Sequence, residues 1–119
     1  ILDNLDNLKK NGRLTKVQAL LTGALRIKLV MGSTPEGEIC KRGQALSVKQ
    51  ALGKLADIMS NDEHHRGRVL CISHCQCPDR AAHLKTLALK CCDFQDILIT
   101  ETRGISSFYA NTGGVVAAY

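Results

Sequence analysis

Apolar residues recur along this chain at two spacings, and the changes between them mark its elements. Ile1, Leu2, Leu5 and Leu8 follow a helical spacing, which Asn11-Gly12 brings to a stop. Thr15 stands where it can cap a second helix carrying Val17, Leu20, Leu21 and Leu25. From Ile27 to Met31 the pattern becomes that of a strand. The turn Ser33-Thr-Pro-Glu-Gly37 and a short strand through Ile39 complete a predicted β-hairpin, and Lys41-Arg42-Gly43 reads as a turn after it. Ser47 opens the clearest helix, with Val48, Ala51, Leu52, Leu55, Ile58 and Met59 on one face and Lys49, Gln50, Lys54 and Asp57 on the other.

The second half alternates more regularly. Asn61 to Gly67 is a polar loop, and Arg68 to Ser73 is a buried strand with Cys71 pointing into the core. Pro78, suited to a first helical position, begins a helix with Ala81, Leu84, Leu87, Ala88 and Cys91 inward. Asp96 to Thr100 is the next strand. Arg103 to Gly114 reads as a glycine-rich turn, and Val115 to Tyr119 closes the chain as a strand. Strands alternating with helices, plus one hairpin, predict a two-layer α/β sandwich with a mixed β-sheet.

Composition narrows this picture. A chain of 119 residues is sized for one domain, and 45% hydrophobic with 23% charged residues is ordinary globular composition. No window is long and apolar enough for a membrane span and there is no leader segment, so a soluble, cytoplasmic protein is expected. The opening on Ile1, inside an amphipathic pattern, leads us to expect a domain whose amino-terminal neighbour is missing. The net charge of +5 invites a nucleic-acid partner, but aromatics are 3% and the cations are dispersed, which argues against one.

Candidate chemistry concentrates in four places. Six cysteines form either a disulfide framework or buried reduced thiols, and Cys71 within a strand favours the second. Cys71-Ile-Ser-His74-Cys75-Gln-Cys77, with His64, His65 and His83, suggests zinc. The usual paired short spacings are absent, so no metal is expected there. A nucleophile pair of His74 and Cys75 lacks an orienting carboxylate. Two arginines at glycine bends, Arg13 after Asn11-Gly12 and Arg42 before Gly43, can each aim a planar donor fork at a carboxylate or phosphate. The terminal stretch, with Gly104, Gly113 and Gly114 between two apolar strands, either cradles an anionic head group in its backbone N–H groups or is a plain connection.

The order of these segments resembles a known family. Leu8-Lys-Lys-Asn-Gly-Arg13, then Leu25-Arg-Ile-Lys-Leu-Val30, then Lys41-Arg-Gly43 before a helix are similar to the carboxyl-terminal domain of DegV proteins. The Val69 to His74 strand with its helix and the closing Gly104 to Tyr119 stretch extend the likeness over the whole chain. The resemblance implies an EDD-type fold, and makes residues 1–119 the second domain of a two-domain bacterial protein that binds a long-chain fatty acid. It implies no catalysis by the chain itself, no cofactor, and service as the acyl carrier for a separate fatty acid kinase subunit. Arg13 matches the family's Gly-Gly-Arg arginine and Arg42 its Arg-Gly arginine, so the implied carboxylate contacts are Arg13, Arg42, Asn111 and Thr112. Where kinase-feeding members carry His-Thr-Gly-Pro-Gly, this chain has Asn111-Thr-Gly-Gly114. Asparagine donates a hydrogen bond but carries no positive charge and transfers no proton. The alternative is a module binding another small carboxylate or phosphate in an enzyme-associated or regulatory role.

Overall fold

A computed structural model describes residues 1–2, 10 and 27–119. Of the two helices expected between Ile1 and Leu25, only Ile1, Leu2 and the helical Lys10 are described; the Asn11-Gly12 bend and Arg13 lie outside the described residues. Ile1 and Leu2, expected to start the first helix, are instead extended. Ile1 N donates to Val115 O at 2.6 Å and Val115 N to Ile1 O at 2.9 Å, while Leu2 bridges Leu29 in antiparallel fashion.

The hairpin forms as β1 (Lys28–Ser33) and β2 (Ile39–Ala45). Its turn closes through Gly37 N to Thr34 O, with Gly37 at φ 81°, a conformation that suits glycine. Lys41-Arg42-Gly43 is not a turn but lies inside β2. The register passes from Val30 opposite Gly43 to Met31 opposite Lys41, so Arg42 is the extra residue of a bulge. The bulge lets the strand run on past the glycine.

Ser47 caps α1 (Val48–Ser60), its side chain accepting from Gln50 N, and Ala51, Leu52, Ala56 and Met59 are buried. In α2 (Pro78–Cys91) Pro78 opens the helix, Asp79 lies in the first turn and Lys90 in the last, matching the helix dipole. Between them runs β3 (Val69–His74), parallel to β4 (Asp96–Glu101) and antiparallel to β5 (Val115–Ala118). Helix α2 packs on β3 and β4 while α1 packs on the hairpin and on α2, giving the two-layer α/β sandwich the pattern predicts. Val30, Leu70, Ile72, Ile97 and Val115 meet Leu52, Met59, Leu84 and the helix alanines there. Each fully buried Leu or Ile stabilises by roughly 1.5–3 kcal/mol.

Two expectations about the strand ends are corrected. Alternation sends Leu70 and Ile72 to the helices, so Cys71 points to the opposite face, where it pairs with Leu98 and Ala118. Cys75 lies in the loop beyond β3 and is buried there. The glycine-rich stretch is also no simple turn, because Gly104–Ala110 forms a helix, α3. Its last residue, Ala110, is buried, and Tyr109 packs near Leu29 on the face away from α1 and α2.

Candidate functional site

Three connections converge at the carboxyl end of β3: the loop into α2, the loop from β4 into α3, and the turn from α3 into β5. β3 has a parallel neighbour, β4, on one side and an antiparallel one, β5, on the other. The loops are tied by main-chain bonds. Cys75 N donates to Gly114 O at 2.9 Å, Gly113 N to Cys75 O at 2.8 Å, and Gly114 N to Asn111 O at 2.9 Å. Thr102 donates to His74 O through its N–H at 2.8 Å and its hydroxyl at 3.3 Å, and Ser107 Oγ donates to Thr102 Oγ1 at 2.9 Å.

Within this knot two residues other than glycine hold left-handed φ: Gln76 at 52° and Asn111 at 56°. Asn111 pairs that φ with ψ 162°, a region populated almost only by glycine. Holding it there costs about 1–3 kcal/mol, which the surrounding bonds must offset. Gly114 cannot be replaced easily, because a Cβ there would collide with Ala110 O. The turn's outer edge is fixed by side chains: Arg80 donates to Gly113 O at 2.5 Å and Thr112 Oγ1 to Gln76 Oε1 at 3.1 Å.

The sequence-predicted residues divide. Asn111 and Thr112 share this turn, with Thr112 exposed and Asn111 half-buried. Arg42 is elsewhere: it lies over Gly32, donates to Ser33 O at 2.7 Å and lines a cleft with Tyr119, which follows the far end of β5. Asn111 precedes the near end of β5, so the two do not meet. Arg13 lies outside the described residues. Arg80, Gln76, Thr102 and Ser107 escaped the sequence reading. Their only signal was polar residues just beyond predicted strand ends.

Several of the thiol and imidazole groups have structural partners. His74 is buried, its Nδ1 accepting from Cys77 N at 3.3 Å. His65 stacks edge-on against Phe94, and His64 meets Asp62 at 2.8 Å. Among the described residues no three His, Cys, Asp or Glu side chains converge as metal ligands. Cys91 and Cys92 place their sulfurs 3.6 Å apart. Burial, then the Cys91 thiol, pushes Cys92 up to about 12, so it stays protonated and weakly nucleophilic.

A family model described as "Uncharacterised protein, DegV family" matches residues 1–119. The chain belongs to the DegV family. A DegV family protein from Ruminococcus gnavus, refined with vaccenic acid, is 44% identical and superposes at a TM-score of 0.91 over 98% of this chain and 41% of its own. The Fatty Acid Kinase B3 protein of Streptococcus pneumoniae, loaded with linoleic acid, is 26% identical at a TM-score of 0.81, covering 99% of this chain and 42% of its own. A DegV domain-containing protein of Streptococcus pyogenes is 30% identical over 125 residues, spanning 100% of this chain and 42% of its own. This DegV chain thus spans about two fifths of the length of the relatives it matches. No helix among its described residues is long and apolar enough to cross a membrane.

Proposed function

We propose that this chain is the carboxyl-terminal domain of a longer, cytoplasmic bacterial DegV protein that binds a long-chain fatty acid. The observation that carries the reading is the 44% identical R. gnavus relative, refined with vaccenic acid and alike over 98% of this chain. The Asn111–Gly114 turn supplies part of the head-group contact, with Asn111 and Thr112 as donors. Arg13 is the cationic contact from this domain, and the partner domain of the same protein provides the rest. Arg42, at the other end of β5, is left out of that contact. Apolar burial of the acyl chain, at roughly 25 cal/mol per Å², dominates affinity, and the polar turn sets orientation.

The domain performs no chemistry itself in this reading. The likeness to the S. pneumoniae kinase B3 protein supports presentation of the acyl carboxylate to a fatty acid kinase. Asn111 takes no proton in that transfer, so any phosphorylation step draws its proton chemistry from the kinase.

Native mass spectrometry of the full-length protein, purified from bacteria, tests the proposal. A co-purified mass of a long-chain acid is expected, with Arg13→Ala weakening its retention. A ligand-free protein that also ignores added oleate would overturn the lipid reading. A small carboxylate or phosphate in its place would support the alternative module.

A further inference from the structure

Cys91 and Cys92 stand where α2 gives way to extended chain. Neighbouring side chains on a helix do not face each other. Cys91 is the last residue of α2, however, and Cys92 is already extended at φ −126° and ψ 152°, while its N–H still closes the helix on Ala88 O at 2.9 Å. That change of backbone brings the two sulfurs side by side, 3.6 Å apart. Both lie against α1, Cys91 Sγ at 3.8 Å and Cys92 Sγ at 4.0 Å from Ala56 O. Cys91 is exposed, and Cys92 is half-buried against the core. Cys71, Cys75 and Cys77 are turned to Ser73, Ser107 O and Gly114 O instead.

We propose that Cys91 and Cys92 form a dithiol site for trivalent arsenicals, which the pair holds as a bidentate ligand in a cyclic dithioarsenite. Paired thiol sulfurs are soft donors and select soft acceptors. A tetrahedral metal such as zinc needs further ligands, and among the described residues no third His, Cys, Asp or Glu side chain joins the pair. A linear two-coordinate ion needs its sulfurs on opposite sides, whereas these lie together. Trivalent arsenic needs only the two sulfurs, because its own substituent keeps the third bond.

The bonding step needs no oxidant or reductant. With an arsenoxide R–As=O, both S–H bonds and the arsenic–oxygen bond break and two As–S bonds form. The oxygen leaves as water with the two thiol protons, and arsenic stays trivalent throughout. A bridge through a third atom suits sulfurs already 3.6 Å apart, whereas a disulfide would have to draw them to about 2.05 Å between adjacent residues. Burial, then the Cys91 thiol, keeps Cys92 protonated, which slows the disulfide exchange and oxidation that begin from a thiolate. Condensation with an arsenoxide begins from the thiols themselves. The pair lies near the amino end of β4, and the Asn111 turn lies beyond the carboxyl end of its parallel partner β3, so the proposal does not rest on the lipid reading.

Phenylarsine oxide added to the reduced full-length protein tests this. Intact and peptide mass spectrometry should find the arsenical, bound with loss of water, on the peptide that carries Cys91 and Cys92. The exposed Cys91 should then resist iodoacetamide, and 2,3-dimercaptopropanol should strip the arsenical and restore alkylation. Cys91→Ser leaves a single sulfur and should weaken retention about 100-fold, the worth of an intramolecular second bond. Undiminished alkylation of Cys91 in the unaltered protein under excess arsenical overturns the proposal, whether or not the variant folds. So does an arsenical found only on other cysteines, or full retention by a folded Cys91→Ser protein.

Discussion

The two ends of β3 are finished in different ways. At the carboxyl end, backbone bonds among Cys75, Gly113, Gly114 and Asn111 enclose two left-handed residues and two buried glycines. At the amino end, side chains close the structure: Tyr119 donates to Asp62 at 2.9 Å, Asp62 accepts from His64 N at 3.0 Å, and Phe94 stacks between His65 and Tyr119. Conformational strain is confined to the first end and electrostatic adjustment to the second. The strained end is the one we propose for the head-group contact. Charge pairing at an exposed edge is ordinary surface construction and contributes little.

The largest expected effect breaks the strained end outright. Gly114→Ala drives a methyl group at Ala110 O and should destabilise by about 3 kcal/mol, read as a lower denaturant midpoint. A midpoint within experimental error of the parent would mean the turn shifts freely. Next, Asn111→Gly relieves the φ 56°, ψ 162° conformation and should stabilise by about 1 kcal/mol. The same change should weaken oleate binding by the full-length protein about tenfold, the worth of one hydrogen bond. Stabilisation with undiminished affinity would remove Asn111 from the head-group contact.

The smallest effects belong to the other end and have a pH signature. Hydrogen bonds from the His64 backbone and ring, then from the Tyr119 hydroxyl, lower Asp62 from the ordinary 3.8 to about 2. A depressed folded pKa stabilises above the unfolded value, so this contribution is intact above pH 3.8 and lost as pH falls to about 2. Burial, then Asp62, raises Tyr119 from 10.0 to about 12, so its contribution is intact below pH 10.0 and lost on rising to about 12. Carbon-detected titration of Asp62 in Tyr119→Phe should show its midpoint moving up toward 3.8. An unmoved midpoint would show that the hydroxyl does not reach the carboxylate in solution.

The same contrast explains what the sequence revealed. Helices α1 and α2 were legible because Ser47 and Pro78 mark their starts and apolar residues keep a helical period behind them. Helix α3 was not, since Gly104, two serines and the exposed Ile105 and Phe108 carry no helical stripe. Arg42 read as a turn residue because a bulge leaves no compositional mark beyond its neighbouring glycine. The strain at Asn111 and Gln76 was equally silent, being imposed by Gly114 and Cys75 through backbone bonds that no periodicity encodes. Glycine placement singled out the Asn111–Gly114 turn, while family likeness, and not spacing, supplied the proposed ligand class.

The pairing of Ile1 with Val115 joins residues 114 positions apart. A hairpin or an α/β unit can gather from neighbours within a few dozen residues, but this contact requires a loop of nearly the whole stretch to close first. Loop closure of that length is entropically costly and slow, and topologies dominated by such contacts fold late. The hairpin with α1 and the β3–α2–β4 unit are therefore expected to form as separate early pieces. Their union waits for β5 to settle beside Ile1 and Leu2, so a chain interrupted before Val115 would leave two half-sheets with open edges.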